Sequence, residues 1–150
     1  MGTGLNEAAA ARVVAKYRHA PFDWGTTDCL HFIAEFLDAR LDTSYLHRVS
    51  MELPFYQDAR SAIAVVASFG VGANPIDAWE AAVTHFLGAP CPIGEVEFGD
   101  VVLGRASPPQ ERTVALGICD EEMFMAPGNQ GLVWMPMRPN AVRGWKCRKF

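Results

Sequence analysis

The sequence lacks several features that would assign it to a class directly. No apolar run in the 150 residues approaches the roughly 20 that cross a membrane, so no membrane span is predicted. The first residues contain no basic stretch followed by an apolar block, which argues against a secretory signal and predicts folding in a cytoplasm. The net charge is −4, and no basic stripe is interleaved with aromatic residues. We therefore expect no nucleic-acid partner.

Closely spaced cysteine pairs are also lacking. The four cysteines, Cys29, Cys91, Cys119 and Cys147, are far apart and include no C-x-x-C pair, although such close pairs are typical of zinc sites. The nearest candidate ligands are Cys29 and His31, and residues two apart on a helix point in different directions. We expect four reduced, mostly structural thiols, with no metal and no cofactor.

Acidic residues are missing from the C-terminal part of the chain. Residues 123–150 contain five of the 13 Lys and Arg residues and none of the 17 acids. Such a basic edge either meets an acidic partner or forms a solvated edge strand whose charges prevent aggregation. The sequence leaves both interpretations open.

Half of the residues are hydrophobic and 20% are charged, which is ordinary for one globular domain over 1–150. Periodicity and capping residues predict four helices. The first runs from Glu7 to Arg18 after the cap Asn6, and the second from Cys29 to about Arg40. The third runs from the cap Asp58 to Ala67 and is closed by Gly70, and the fourth runs from the cap Asn74 through Pro75 to Leu87 and is closed by Gly88. Residues 41–57 have no sustained period and are predicted to form a long loop.

The pattern changes after Pro90 and Pro92. Short β-type runs separated by turn residues predict a turn that leads into a strand within 99–103, further strands at 113–119, 123–125, 132–135 and 144–150, and a turn at 127–131. Helices followed by a meander of strands are typical of an α+β fold, in which N-terminal helices pack on a C-terminal antiparallel sheet.

The chain is organised around residues 22–37, an aromatic loop followed by a helix. The apolar residues of this helix recur at intervals of three and four: Cys29, Phe32, Ile33, Phe36 and Leu37. Cys29 is therefore expected to face inward in the first turn, where free amides and the helix dipole favour a thiolate. Thr26 or Thr27 is a suitable cap, with Asp28 in the first turn. A structural, buried Cys29 fits the same apolar stripe.

Two blocks resemble a known family. The helix opened by Trp24-Gly25-x-x-Asp28-Cys29 and the strand Gly99-Asp100-Val101-Val102 are similar to NlpC-type cell-wall peptidases, which are papain-like cysteine endopeptidases of bacteria and their phages. The closest resemblance is to the short form encoded among phage and gene-transfer-agent tail genes. From about Phe22 to Trp145, it implies a papain-like fold with Cys29 as the nucleophile, at a helix N-terminus packed against an antiparallel sheet.

The resemblance also locates the positions of the family's other catalytic residues. Its histidine opens the second strand, before a small apolar run ending in Gly-Ile, and the matching block here is Ala115-Leu116-Gly117-Ile118. Its third polar group lies in a block ending His-Ala-Pro, which matches Phe124-Met125-Ala126-Pro127. Ala115 and Met125 thus occupy the two positions, and the resemblance implies a catalytically degenerate peptidase.

Three functional hypotheses follow. The first is a structural component of the tail tip or baseplate of a phage-like particle, assembled in the bacterial cytoplasm and acting on other tail proteins. The second is an active peptidoglycan endopeptidase in which Cys29 works with His19, His47 or His85, since His31 diverges from Cys29 on one helix. The third is a tail assembly chaperone.

Methionine and tryptophan residues in the last third offer a candidate partner surface for the first hypothesis. Both residue types are enriched at protein interfaces. Core packing is the alternative explanation. The candidates are Met123, Met125, Trp134, Met135 and Met137.

Overall fold

The computed structural model describes residues 5–69, 75–105 and 114–147, which form an α+β fold. Its elements are α1 (Glu7–Arg18), α2 (Cys29–Leu41), α3 (Tyr45–Glu52), α4 (Ala59–Ala67), α5 (Pro75–Leu87), a 3-10 turn (Ile93–Glu95), β1 (Val101–Arg105), β2 (Val114–Asp120), β3 (Met123–Gly128), β4 (Gly131–Pro136), the short α6 (Met137–Asn140) and β5 (Ala141–Trp145). The order of helices first and antiparallel strands second confirms the predicted class.

The five strands form one antiparallel sheet in the order β4-β3-β2-β1-β5. Because successive strand side chains point to opposite faces, the sheet divides its apolar residues between two clusters. The helix-facing cluster includes Val101, Leu116 and Trp145 together with residues of α1, α2 and α5. The other includes Val102 and Phe124, covered by the segment around the 3-10 turn. Burial on both faces explains why the strands are nearly continuous apolar runs.

The first helix begins as predicted. Asn6 caps α1, and its side-chain oxygen accepts a hydrogen bond from the Ala9 amide at 3.0 Å. The predicted end at Arg18 is also confirmed, because the cap residue that follows is His19. Tyr17 is buried on the helix face that packs against Phe32 of α2, with ring centroids 5.1 Å apart.

The predicted cap of α2 was wrong. Asp28 is the N-cap residue, and its Oδ1 accepts a hydrogen bond from the His31 amide at 2.9 Å, so Asp28 precedes the first turn. The two threonines are used elsewhere. The Thr27 hydroxyl donates to the Pro21 carbonyl at 2.6 Å, and the Thr26 hydroxyl donates to Asp23 at 2.8 Å. Both therefore close the preceding loop instead of capping the helix.

The predicted loop at 41–57 was also wrong, because it contains α3. The first amides of α3 are capped by Asp38, a residue of the preceding helix whose carboxylate accepts from Tyr45 at 2.7 Å and from Leu46 at 2.9 Å. Asp42 adopts the left-handed conformation (φ 58°) that separates the two helices. A cap supplied by another helix leaves no signal at the start of α3 itself.

The next two helices largely confirm the sequence pattern. Asp58 caps α4 in a reciprocal capping box with Ser61. Pro75 opens α5 and Gly88, at φ +87°, follows its last residue. The expected end at Gly70 and the expected cap Asn74 lie outside the described residues.

The largest differences from the predicted strand boundaries are at two places. Pro127 and Gly128, predicted as turn residues, belong to β3, and the pairing of β3 with β2 ends at Met125. Beyond that point no N–H is required on the β2 side, so proline is tolerated. The last strand was predicted at 144–150 but is β5, Ala141–Trp145, and residues 148–150 lie outside the described range.

Charges of the basic C-terminal segment are paired with acids inside the domain. Arg143 Nε lies 2.7 Å from Glu80 Oε1, and Lys146 Nζ lies 2.7 Å from Asp100 Oδ2. The segment therefore supplies intramolecular ion pairs at these two residues. Among the described residues, no helix has the length and apolar character that crossing a membrane requires.

Candidate functional site

The loop before α2 is held in place by one glycine and by aromatic packing. Gly25 has φ +90°, and a Cβ there would lie 2.6 Å from the Tyr56 carbonyl oxygen, so only glycine fits. The Phe22 amide donates to the Gly128 carbonyl at 3.1 Å, and the Phe22 and Trp24 rings pack edge to face. This loop connects the start of α2 to the end of β3.

Asp28 is the polar centre of the site. It is fully buried, and its carboxylate accepts hydrogen bonds from the Gly25 amide at 2.8 Å, the His31 amide at 2.9 Å and His31 Nδ1 at 2.8 Å. Burial alone would raise the pKa of Asp28, but the hydrogen bonds from His31 and Gly25 outweigh it and lower the pKa below its ordinary value. The ionised carboxylate therefore holds the proton of His31 on Nδ1.

Cys29 is the first residue of α2 and is 7% exposed. It belongs to the helix-facing core, as the apolar stripe predicted. The sequence suggested either a first-turn thiol or a buried structural cysteine, and Cys29 is both in the first turn and buried.

Tyr56 lies beside this helix start. Its hydroxyl is buried and meets no atom of the described residues in hydrogen-bonding geometry. Burial, followed by the negative charge of nearby Asp28 and the closeness of its carboxylate as an acceptor, raises the pKa of Tyr56 well above its usual range. The hydroxyl is therefore a neutral donor next to an ionised carboxylate, without a well-formed hydrogen bond to it. The sequence analysis missed this residue because it lies in the segment assigned to a loop.

The four histidines are distributed over separate parts of the molecule. His31 Nδ1 binds Asp28, and His85 Nε2 lies 2.7 Å from Glu52 Oε1 on the surface between α3 and α5. His19 is exposed at the end of α1, and His47 is exposed on α3. The two rings that form hydrogen bonds thus bind carboxylates. The spacing of Asp28 and His31 is that of a capping box, the sequence signal that would have paired them.

The structure places Ala115 and Met125 on opposite faces of the sheet. Ala115 belongs to the cluster on the far side of the sheet, whereas the helix-facing residues of β2 are Val114, Leu116 and Ile118. Met125 does face the helices, but it lines a groove with Phe36, two turns and about 10 Å along α2 from Cys29. These two positions are therefore not brought together.

The second motif carries a different buried carboxylate. Asp100 is 3% exposed and accepts hydrogen bonds from the Glu97 amide at 2.9 Å, the Cys147 amide at 3.0 Å and Lys146 Nζ at 2.7 Å. It ties the entrance of β1 to the segment after β5. The Gly99-Asp100 block therefore has a structural explanation in this chain.

All four cysteines are free thiols, and burial is the main cause that raises the pKa of three of them. The pKa of Cys119 is about 11 and that of Cys147 about 12, so neither forms a reactive thiolate at neutral pH. In the part of the chain that the structure describes, no group of three or more His, Cys, Asp and Glu residues is arranged to hold a metal ion.

The proposed methionine and tryptophan surface is mostly core. Met125, Met135 and Met137 are buried, while Met123 and Trp134 are half-buried. The Trp134 indole donates to Asp120 at 3.0 Å and lies under the Arg18 guanidinium. Core packing thus accounts for three of the five residues.

Comparison with protein families gives a match that spans most of the chain. The model of a family described as a domain of unknown function (DUF6950) matches residues 5–147, and no curated protein matches the chain. Because the match spans nearly the whole sequence, this chain belongs to the DUF6950 family.

Proposed function

We propose that this chain is a catalytically inactive, papain-like domain of NlpC type that serves as a structural component of a phage-like tail tip or baseplate. The observation that carries the proposal is the helix-facing side of β2, where Val114, Leu116 and Ile118 are all aliphatic. The fold supports it as well, since Cys29 begins a helix packed against an antiparallel sheet. The assignment to a phage-like particle is inferred from the resemblance of the Asp28-Cys29 and Gly99-Asp100 blocks to the short NlpC-type form encoded among tail genes.

Peptide hydrolysis by a cysteine requires more than a thiol. An imidazole must take the thiol proton and later protonate the leaving amine, and a third polar group must orient that imidazole. Aliphatic side chains on β2 perform neither step. His31 is oriented by Asp28, but it lies on the same helix as Cys29, two residues further on. These placements favour a scaffold over an enzyme.

The second candidate function is a working endopeptidase that cuts the peptide stems of peptidoglycan. The position of Cys29 favours it, because the first residue of a helix lies among unpaired amides at the positive end of the dipole, where a thiolate is stabilised. An exposed histidine, His19 or His47, would then have to supply the base.

The composition of the particle tests the proposal. Phage-like particles produced by the strain that encodes the chain are purified on a density gradient and analysed by mass spectrometry. We expect the chain in a fixed ratio to the tail proteins, and equal incorporation and particle function for Cys29→Ala. Presence in the lysate but absence from the particles would instead identify an assembly chaperone. Normal assembly with loss of wall penetration in Cys29→Ala would identify the enzyme.

A further inference from the structure

An open cleft of about 220 Å³ lies beside the start of α2. His31 lines one side, and the end of α3 with the segment that follows it lines the other. The residues of that second side that matter here are Ser50, Leu53, Pro54, Phe55 and Tyr56. The cleft is distinct from the buried sulfur of Cys29, which does not line it.

His31 offers the cleft one oriented polar atom. Its Nδ1 is hydrogen-bonded to the ionised Asp28 carboxylate, and its Nε2 has no hydrogen-bond partner among the described residues. Nε2 accepts a hydrogen bond in the neutral ring and donates one in the imidazolium. A ligand in the cleft would therefore meet a hydrogen-bonding nitrogen whose direction is fixed by the buried pair.

An unusually exposed aromatic residue lines the cleft. Phe55 is 83% exposed and is the most exposed large hydrophobic residue in the described part of the chain. An exposed apolar side chain at the edge of a concave site is available to contact a partner.

Size and charge select the kind of occupant. The cleft is smaller than the roughly 300–1,000 Å³ of small-molecule sites, so it accommodates about one side chain. No Lys, Arg, Asp or Glu residue lines it, and the buried carboxylate of Asp28 disfavours a second negative charge nearby. The lining therefore favours an uncharged, mainly apolar group that can hydrogen-bond to an imidazole nitrogen.

We propose that this cleft is a docking site for an extended, uncharged apolar segment of a partner protein. One apolar side chain of the segment enters the cleft against Phe55, and a backbone amide group of the segment hydrogen-bonds to His31 Nε2. The cleft is then the surface through which the proposed scaffold contacts another protein. That this partner belongs to the same particle rests on the proposed function.

A minimal peptide probe tests the cleft directly. The full chain, labelled with ¹⁵N, is titrated with N-acetyl-L-phenylalanine N-methylamide up to about 20 mM, where even a millimolar site is mostly filled. We expect saturable shifts of the amides of His31, Ser50, Phe55 and Tyr56. The free acid, N-acetyl-L-phenylalanine, should bind about tenfold more weakly, because Asp28 opposes its charge.

Matched variants locate the binding. Phe55→Ala and His31→Gln should each weaken binding of the amide probe about tenfold, as expected when an anchor residue is lost. Gln at 31 retains the capping-box spacing, so the helix start is expected to fold. The control is Ile63→Ala, a change at a residue 59% exposed on α4 and outside the cleft, which should leave binding unchanged.

Three outcomes would overturn the docking site. They are the absence of saturable shifts, equal binding of the amide and the acid, and equal loss of binding in Ile63→Ala and Phe55→Ala. None of these depends on particles or cell walls. A finding of wall hydrolysis would overturn the proposed function and leave this result standing.

Discussion

The two motifs of the chain share several features and differ in one contact. Each has a buried aspartate whose carboxylate accepts two backbone amides, and a glycine at φ near +90° lies three residues before Asp28 and directly before Asp100. They differ in the third donor, which is Lys146 at Asp100 and His31 at Asp28.

The difference separates a closed structural clamp from an open site. Around Asp100, the ammonium group and the amides satisfy the carboxylate and join β1 to the segment after β5. Around Asp28, the partner is an imidazole that lines a cleft, and the Tyr56 hydroxyl nearby stays unsatisfied. A buried aspartate that binds two backbone amides therefore occurs in both motifs, and only the surroundings show that the one at Asp28 is suited to binding.

Removing the Asp100 carboxylate should have the largest effect on stability. Asp100→Ala leaves Lys146 and the amides of Glu97 and Cys147 without their acceptor, and we expect a loss of about 4 kcal/mol in the free energy of unfolding. Urea denaturation measures it. Glu97→Ala is the control, since that exposed carboxylate lies 3.6 Å from Lys146 and should contribute less than about 0.5 kcal/mol. Equal effects of the two changes would contradict the clamp.

The two glycines should respond differently to alanine. A Cβ at Gly25 meets the Tyr56 carbonyl, which is backbone, whereas a Cβ at Gly99 meets the guanidinium of Arg40, which is the end of a side chain. We expect losses of about 3 kcal/mol for Gly25→Ala and about 2 kcal/mol for Gly99→Ala by urea denaturation. Gly94→Ala, with open space around the added methyl, should change little. A larger loss at Gly99 would reverse this ranking.

Asp28→Asn should cost about 1 kcal/mol at neutral pH, because asparagine caps a helix well but loses the charged contact with His31. The folded pKa of Asp28 is below its ordinary value, so the charge stabilises the fold above about pH 3.8 and this contribution is lost as pH falls through the folded pKa. The difference between wild type and variant should therefore shrink in acid. A difference that grows below pH 4 in urea denaturation would refute the assignment.

The smallest expected effect is a gain in the free energy of unfolding. Tyr56→Phe removes a buried hydroxyl that has no partner in the described chain, and we expect an increase of about 1 kcal/mol in the free energy of unfolding. Tyr17→Phe is the matched control, because the Tyr17 hydroxyl donates to Glu35 and its loss should destabilise by about 1 kcal/mol. Thermal denaturation of both variants compares them, and destabilisation by Tyr56→Phe would indicate a partner for its hydroxyl.

Local signals predicted most of the fold. The caps Asn6 and Asp58 and the stripe of α2 lie within the elements they define, and the sequence placed them correctly. The cap of α3 is Asp38, from another helix, so the sequence of α3 itself does not contain the signal. Local sequence patterns do not reveal a cap that another helix supplies.

Local sequence patterns also predicted only part of the candidate site. Sequence spacing located Cys29 and the two aspartates, but it did not show that Ala115 faces away from the helices or that Tyr56 returns to Asp28. Which face of a strand is buried against which helix depends on register, and a shift of one residue reverses it. Spacing alone therefore identified the motifs but not the arrangement around them.

The proposed scaffold function requires that the chain lack peptidase activity, and peptidoglycan digestion tests this most directly. Purified sacculi and soluble stem peptides are incubated with the wild-type chain and with Cys29→Ala, and the products are identified by mass spectrometry across a range of pH. We predict no fragment release above the level of Cys29→Ala at any pH. Stem-peptide fragments released by the wild type and abolished in Cys29→Ala would contradict the claim.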